Sequence, residues 1–107
     1  MSKANDVFKP QAYLLIALEA AGVCTKIEKV QDRVSVLASV LAANHRDTVR
    51  DIVLEVADRI CNQNPKLNRT VVTEKVREFL FDLQKKGQKA AARLRKKMKK
   101  YFRKLKK

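Results

Sequence analysis

Residues that interrupt regular structure are scarce in this chain, which has only two glycines and two prolines among its 107 residues. Tight turns depend heavily on glycine and proline, so their scarcity disfavours an all-β fold. Alanine, leucine, lysine, arginine and glutamate are abundant, and all five favour helix. Hydrophobic residues make up 46% of the sequence, which is enough to predict one small all-α domain with its own core.

Cysteine and histidine are also scarce, which limits the metal chemistry available to the chain. The two cysteines, Cys24 and Cys61, form no CxxC pair, and His45 is the only histidine. A structural zinc site needs about four such ligands, so we expect no metal and no other cofactor. Two buried free thiols in a cytoplasmic protein are the simpler interpretation.

Sequence signatures of catalysis and of membrane insertion are missing as well. Glycine occurs only at positions 22 and 87, so there is no glycine-rich phosphate loop, and we expect no enzyme activity. No apolar run is long enough to span a bilayer. The apolar stretch 12–24 is interrupted by Glu19 and preceded by Asp6, which disfavours a secretion signal.

The spacing of apolar residues predicts a bundle of about four helices followed by a cationic amphipathic C-terminal helix. The first three predicted helices cover about 9–21, 25–43 and 48–62, and the fourth begins near residue 68. Gly87 either ends the fourth helix or is a weak point within a longer one.

Each predicted helix has residues suited to its ends. Pro10 suits the first turn of the first helix, and Gly22 suits its C-terminal cap. The predicted N-terminal caps of the other helices are a Thr25–Glu28 capping box, then Asn44 or Asp47, then Asn68 or Thr70.

Three of the predicted helices carry a clear apolar face. We expect these faces to pack inside one bundle, although the face of the second helix is also suited to the seam of a homodimer. The three faces consist of Ile27, Val30, Val34, Leu37, Ala38 and Leu41; Val49, Ile52, Val53, Val56, Ala57 and Ile60; and Val72, Val76, Phe79, Leu80 and Leu83.

The formal net charge of +14 is distributed very unevenly. Residues 1–84 contain 12 lysines and arginines against 11 acidic residues, whereas residues 85–107 contain 13 lysines and arginines and no acidic residue. The sequence therefore divides into a near-neutral helical domain, 1–84, and a basic amphipathic tail, 85–107.

Helical periodicity continues through this tail. Leu94, Met98, Tyr101, Phe102 and Leu105 fall within an arc of about 100° when successive residues are rotated by 100°, and the rest of the circumference is almost entirely basic. Like charges recur four residues apart, which destabilises an isolated helix. The pattern therefore indicates that a negatively charged partner supplies the missing counter-charge.

Nucleic acid, either DNA or RNA, is the expected partner, because its phosphates supply that counter-charge. The tail has ten lysines and only three arginines, which favours phosphate contacts with little sequence readout. The candidate binding residues are Lys85, Lys86, Lys89, Arg93, Arg95, Lys96, Lys97, Lys99, Lys100, Arg103, Lys104, Lys106 and Lys107. The helical body would then oligomerise or contact a partner.

Other interpretations of the same residues stay open. A basic helix with a segregated apolar arc also fits an anionic membrane surface or an acidic protein groove. The third helix could belong to a helix-turn-helix in which Arg46 and Arg50 face DNA. That turn lacks glycine, however, and Asp47 and Asp51 would lie close to the phosphates.

Overall fold

The computed structural model describes residues 8–23 and 26–105, apart from the side chains of Phe102, Lys104 and Leu105. This part of the chain contains four α-helices and no strand, which confirms the all-α prediction. The helices are α1 (Leu14–Ala20, preceded by a 3₁₀ turn, Pro10–Tyr13), α2 (Val30–Ala42), α3 (Arg46–Gln63) and α4 (Arg69–Leu105). The predicted fourth helix and the predicted tail helix are thus one continuous helix of 37 residues.

The core forms mainly between the predicted apolar faces of α3 and α4. All six predicted residues of α3 are buried, as are four of the five in α4, with Phe79 half-buried against them. Cys61 is buried in the same cluster, as predicted, while Cys24 lies outside the described residues. Buried residues of α1 and α2 join the same core, so the four helices pack as one body.

The prediction for α2 was only partly right. Its contribution to the fully buried core is limited to Leu37 and Leu41, and Val30 is 59% exposed. The helix begins at Val30, with no side-chain cap at Lys29, so the predicted start at a Thr25–Glu28 capping box is wrong.

A competing hydrogen bond explains the late start of α2. The Arg33 side chain donates to the Ile27 carbonyl oxygen at 2.6 Å, and the helix begins after Lys29, whose backbone is extended. A capping bond contributes only about 1 kcal/mol, so a single bond of this kind is enough to displace it. Thr25 itself lies outside the described residues.

In the turn between α2 and α3, the residues that cap the two helix ends differ from the predicted ones. His45 caps α3 by accepting a hydrogen bond at Nδ1 from the Asp47 amide, with 3.3 Å between the nitrogens. Asn44 instead donates its side-chain amide to the Val40 carbonyl oxygen at 2.7 Å, which closes the end of α2. The choice of Asn44 or Asp47 as the cap was therefore wrong, because Asn44 serves the preceding helix and Asp47 lies within the first turn of α3.

Two predicted helix ends are confirmed. Gly22 has a φ of 76°, and the amides of Gly22 and Val23 donate to the carbonyl oxygens of Glu19 and Leu18, which is the Schellman arrangement. Asn68 caps α4 by accepting from the amides of Thr70 and Val71 at 2.9 and 3.3 Å.

Helix α4 crosses α2 at very short range, and Gly87 is the residue that permits it. A β-carbon at this position would overlap the Ala38 carbonyl oxygen and would lie 2.9 Å from the β-carbon of Ala42. Gly87 is buried within α4, so it neither ends the helix nor interrupts it. It is instead the point at which the two helices touch.

Gln84, one turn earlier on α4, ties the same crossing to the α2–α3 turn. Its side chain is buried, with 5% of the residue exposed, and its amide nitrogen donates to the carbonyl oxygens of Leu41 and Asn44 at 3.2 and 3.0 Å. The Leu41 carbonyl belongs to the last turn of α2, and the Asn44 carbonyl belongs to the turn that follows it. The bonds therefore fix α4 against the turn that leads into Arg46.

We predict that Gly87→Ala destabilises the fold, although alanine is the better helix former by about 1 kcal/mol. The added methyl group meets the backbone of α2, and overpacking of this kind typically costs about 1–3 kcal/mol. Urea unfolding followed by circular dichroism measures the change, and Gln88→Ala at the exposed neighbour is the control. A Gly87→Ala protein at least as stable as the wild type would contradict the close crossing.

Candidate nucleic-acid interface

Helix α4 is much longer than the body against which it packs. Its 37 residues correspond to about 55 Å at 1.5 Å per residue, and the molecule measures 65 Å along one axis but only 25 and 24 Å along the others. Ala91 is the last half-buried residue of α4, and every described side chain from Ala92 to Arg103 is exposed. Residues 92–105 therefore project from the body as a helix, the extension.

The structure places most of the predicted binding residues on solvent-exposed positions of α4. Lys86 is partly neutralised by an ion pair with Asp82 at 3.0 Å. The side chain of Lys104, and both Lys106 and Lys107, lie outside the described residues. The exposed candidates are Lys85, Lys86, Lys89, Arg93, Arg95, Lys96, Lys97, Lys99, Lys100 and Arg103.

The extension has two chemically different sides. Leu94, Met98 and Tyr101 fall within about 60° of one another on an ideal helix and are 59%, 48% and 63% exposed. Their arc continues the direction of Leu80 and Gly87, which face the core further back along α4. The side chains of Phe102 and Leu105, predicted to join this arc, lie outside the described residues. Cations occupy the remaining directions.

The electrostatics of the extension are unfavourable in isolation. Residues 85–107 contain no acidic residue, and like-charge pairs four residues apart cost about 0.2–0.5 kcal/mol each. The helix persists because it grows from a segment that is already packed, so no new nucleation is needed. A polyanion along the extension would replace this repulsion with attraction. The like-charge pairs within residues 85–107 are Lys85/Lys89, Lys89/Arg93, Arg93/Lys97, Arg95/Lys99, Lys96/Lys100, Lys99/Arg103, Lys100/Lys104 and Arg103/Lys107.

A second group of cations lies on the body, where α3 begins beside α4. Arg46 and Arg50 of α3 line a groove together with Arg77 and Lys85 of α4. The sequence indicated that the two residues of α3 face outward, but it did not predict their meeting with Arg77. The available signal was the spacing of Arg77, Phe81 and Lys85, which puts all three on one side of a helix.

Comparisons with known proteins and the arrangement of the described residues were also considered for other kinds of site. Comparison with models of known families, with curated proteins and with solved structures gave no match. Among residues 8–23 and 26–105, no three histidine, cysteine, aspartate or glutamate side chains are placed to hold a metal ion. No helix in the same part of the chain is long and apolar enough to cross a membrane.

We predict that amide hydrogens in the extension, at residues 93–103, exchange faster than those at residues 76–83 of the same helix. Raising NaCl from about 0.02 to 0.3 M should slow exchange in the extension several-fold, because salt screens like-charge repulsion. Residues 76–83, packed in the core, serve as the internal control. Exchange in the extension that is as slow as in the core, or that accelerates with salt, would contradict the picture of a helix strained by its own charge.

Proposed function

We propose that this protein binds nucleic acid through the phosphate backbone, using the cationic extension of α4. The observation that carries the proposal is a helix that leaves the body as an exposed cationic rod without a carboxylate of its own. Phosphates provide closely spaced negative charges, and their neutralisation releases condensed counterions. The partner therefore supplies the counter-charge that the extension lacks.

The kind of cation favours contacts that do not depend on base sequence. Lys96, Lys97, Lys99 and Lys100 are exposed, and lysine acts as a flexible point charge rather than a planar fork. Phosphate contacts position a protein on nucleic acid but carry no direct sequence information. We therefore expect similar affinity for duplexes of unrelated sequence. Sequence-specific reading through Arg46 and Arg50 of α3 stays a separate prediction.

Replacing Lys96, Lys97, Lys99 and Lys100 together by glutamine should weaken binding to a labelled DNA duplex strongly. Glutamine has nearly the helix propensity of lysine, so the extension keeps its conformation while four charges are removed. The plot of log affinity against log salt should flatten by up to about 3.6, at roughly 0.9 for each phosphate that is no longer neutralised. Fluorescence anisotropy over a salt series measures both quantities.

The matched control removes four exposed lysines from the body. Lys9, Lys26, Lys29 and Lys66 are all exposed, and their replacement by glutamine gives the same net charge as the extension variant. We expect this control to bind within about threefold of the wild type. Equal decreases in affinity in the two variants would mean that only net charge matters, and the extension would then not be the binding site.

An anionic membrane surface is the second candidate, and the exposed arc of Leu94, Met98 and Tyr101 is the observation that favours it. Interfacial helices combine an apolar face with lysine and arginine on the other side, and their affinity grows with the apolar area buried. Nucleic-acid phosphates do not require that arc. The two functions therefore depend on different sides of the same helix.

We predict that replacing Leu94, Met98 and Tyr101 together by serine leaves affinity for DNA within about twofold of the wild type. The same variant should lose any binding to vesicles of phosphatidylserine and phosphatidylcholine, because its apolar area is gone. Anisotropy and vesicle co-sedimentation give the two readouts. Loss of DNA binding in this variant, with circular dichroism unchanged, would contradict a phosphate-backbone mode of binding.

A further inference from the structure

A groove on the body lies between the first turns of α3 and the middle of α4. It is open to solvent and has a volume of about 480 Å³. Its walls carry four cations, Arg46, Arg50, Arg77 and Lys85, against one carboxylate, Glu78. Three cations of the near-neutral domain 1–84 are therefore gathered in one place, next to the first lysine of the basic tail.

The cations of this groove differ from several others of the body in having no carboxylate partner. Arg59 pairs with Glu19 and Glu55, and Arg69 pairs with Asp58. Within the described part of the chain, Arg46, Arg50, Arg77 and Lys85 have no acidic group within ion-pair distance, although Glu78 lines the same groove. Their charge is available to an external anion.

One wall of the groove is restrained by contacts within the protein. The Arg46 guanidinium lies over the ring of Phe81, 5.3 Å from its centroid, and such cation–π contacts restrict the side chain. The buried amide of Gln84 fixes α4 to the turn that precedes Arg46. Less side-chain and helix motion then has to be given up on binding, which reduces the entropic cost.

Helical geometry makes the groove continuous with the extension. On an ideal helix, Lys85, Arg95 and Lys99 lie within about 80° of one another and within the same sector as Arg77. Arg77 and Lys99 are separated by about 33 Å along the helix axis, at 1.5 Å per residue. One face of α4 therefore carries cations from the body to the extension, on the side away from the Leu94 arc.

We propose that this groove is a second phosphate-binding site, in which arginine forks hold the backbone of the same nucleic acid that the extension contacts. The inference rests on the proposed function and deepens it by assigning part of the affinity to the body. Arginine binds phosphate bidentately and with defined geometry, whereas the lysines of the extension attract phosphate without orienting it. The groove thus sets the direction of the nucleic acid along α4.

The test uses the full chain, a fluorescein-labelled DNA duplex of about 20 base pairs and a salt series. The groove variant replaces Arg46, Arg50 and Arg77 by glutamine. The control replaces Lys26, Lys29 and Lys66 at the other end of the bundle by glutamine, with the same decrease in charge. We expect the groove variant to bind the duplex at least tenfold more weakly than the wild type. The slope of log affinity against log salt should flatten by up to about 2.7. The affinity of the control should stay within twofold of the wild type.

Two further variants separate charge from geometry and from folding. Replacing the three arginines by lysine should keep the salt slope but give an intermediate affinity, because the forks are absent. Replacing only Arg50 and Arg77 by glutamine leaves the Arg46–Phe81 contact in place, and it should still lower the slope by about 1.8. This double variant tests the groove even where the triple variant fails to fold.

The outcomes distinguish this inference from the proposed function. Wild-type binding that disappears on neutralising Lys96, Lys97, Lys99 and Lys100, but is unchanged in the two glutamine variants of the groove, overturns the groove site alone. A wild type that binds neither the DNA duplex nor an RNA duplex of the same length overturns both proposals. Groove variants that lose binding to phosphatidylserine vesicles while keeping affinity for DNA would assign the groove to a lipid headgroup and overturn the nucleic-acid site.

Discussion

The close contact between α2 and α4 at Gly87 is the constraint on which the rest of the structure depends. Because no side chain separates the backbones there, α4 is held against the body up to the last turn before the extension. Gln84 adds hydrogen bonds to the α2–α3 turn at the same crossing. The basic segment consequently begins as part of a packed helix, and its direction relative to the body is fixed without a flexible linker.

That arrangement separates two requirements that conflict in a small protein. The apolar face of α4 builds the core from Val72 to Leu83, where burial of apolar area stabilises the fold. The charged residues accumulate where the helix has already left the core, so their mutual repulsion is relieved by solvent and salt rather than imposed on the packed interior. We therefore expect the extension to be the least stable part of the helix and the part that responds most to a polyanion.

The sequence predicted the fold class and the α3–α4 core because the apolar residues of these helices recur with a strong helical period. Each of them falls on the same face of its helix. It failed at the starts of α2 and α3, where single side-chain hydrogen bonds of Arg33, Asn44 and His45, each of about 1 kcal/mol, decide where a helix begins or ends. The role of Gly87 was left open, since it depends on Ala38 and Ala42, which are distant along the chain.

The candidate site divides in the same way. The cations of the extension were predictable because they are consecutive on one helix and have no acidic neighbours. The groove was not, because Arg46 and Arg50 meet Arg77 and Lys85 only when α3 packs beside α4. The alignment of Arg77 and Lys85 with the extension follows from helical periodicity, whereas the meeting of Arg46 and Arg50 with them depends on how α3 packs beside α4.

The most direct measurement of the central claim is the salt dependence of DNA binding by the unmodified full-length chain. A duplex contacts only one side of a helical rod, so we expect about six to eight phosphate contacts and a log–log slope of roughly −5 to −7. Such a slope would mean that counterion release drives binding, as the proposed function requires. Binding that is absent, or that is weak and insensitive to salt, would contradict it.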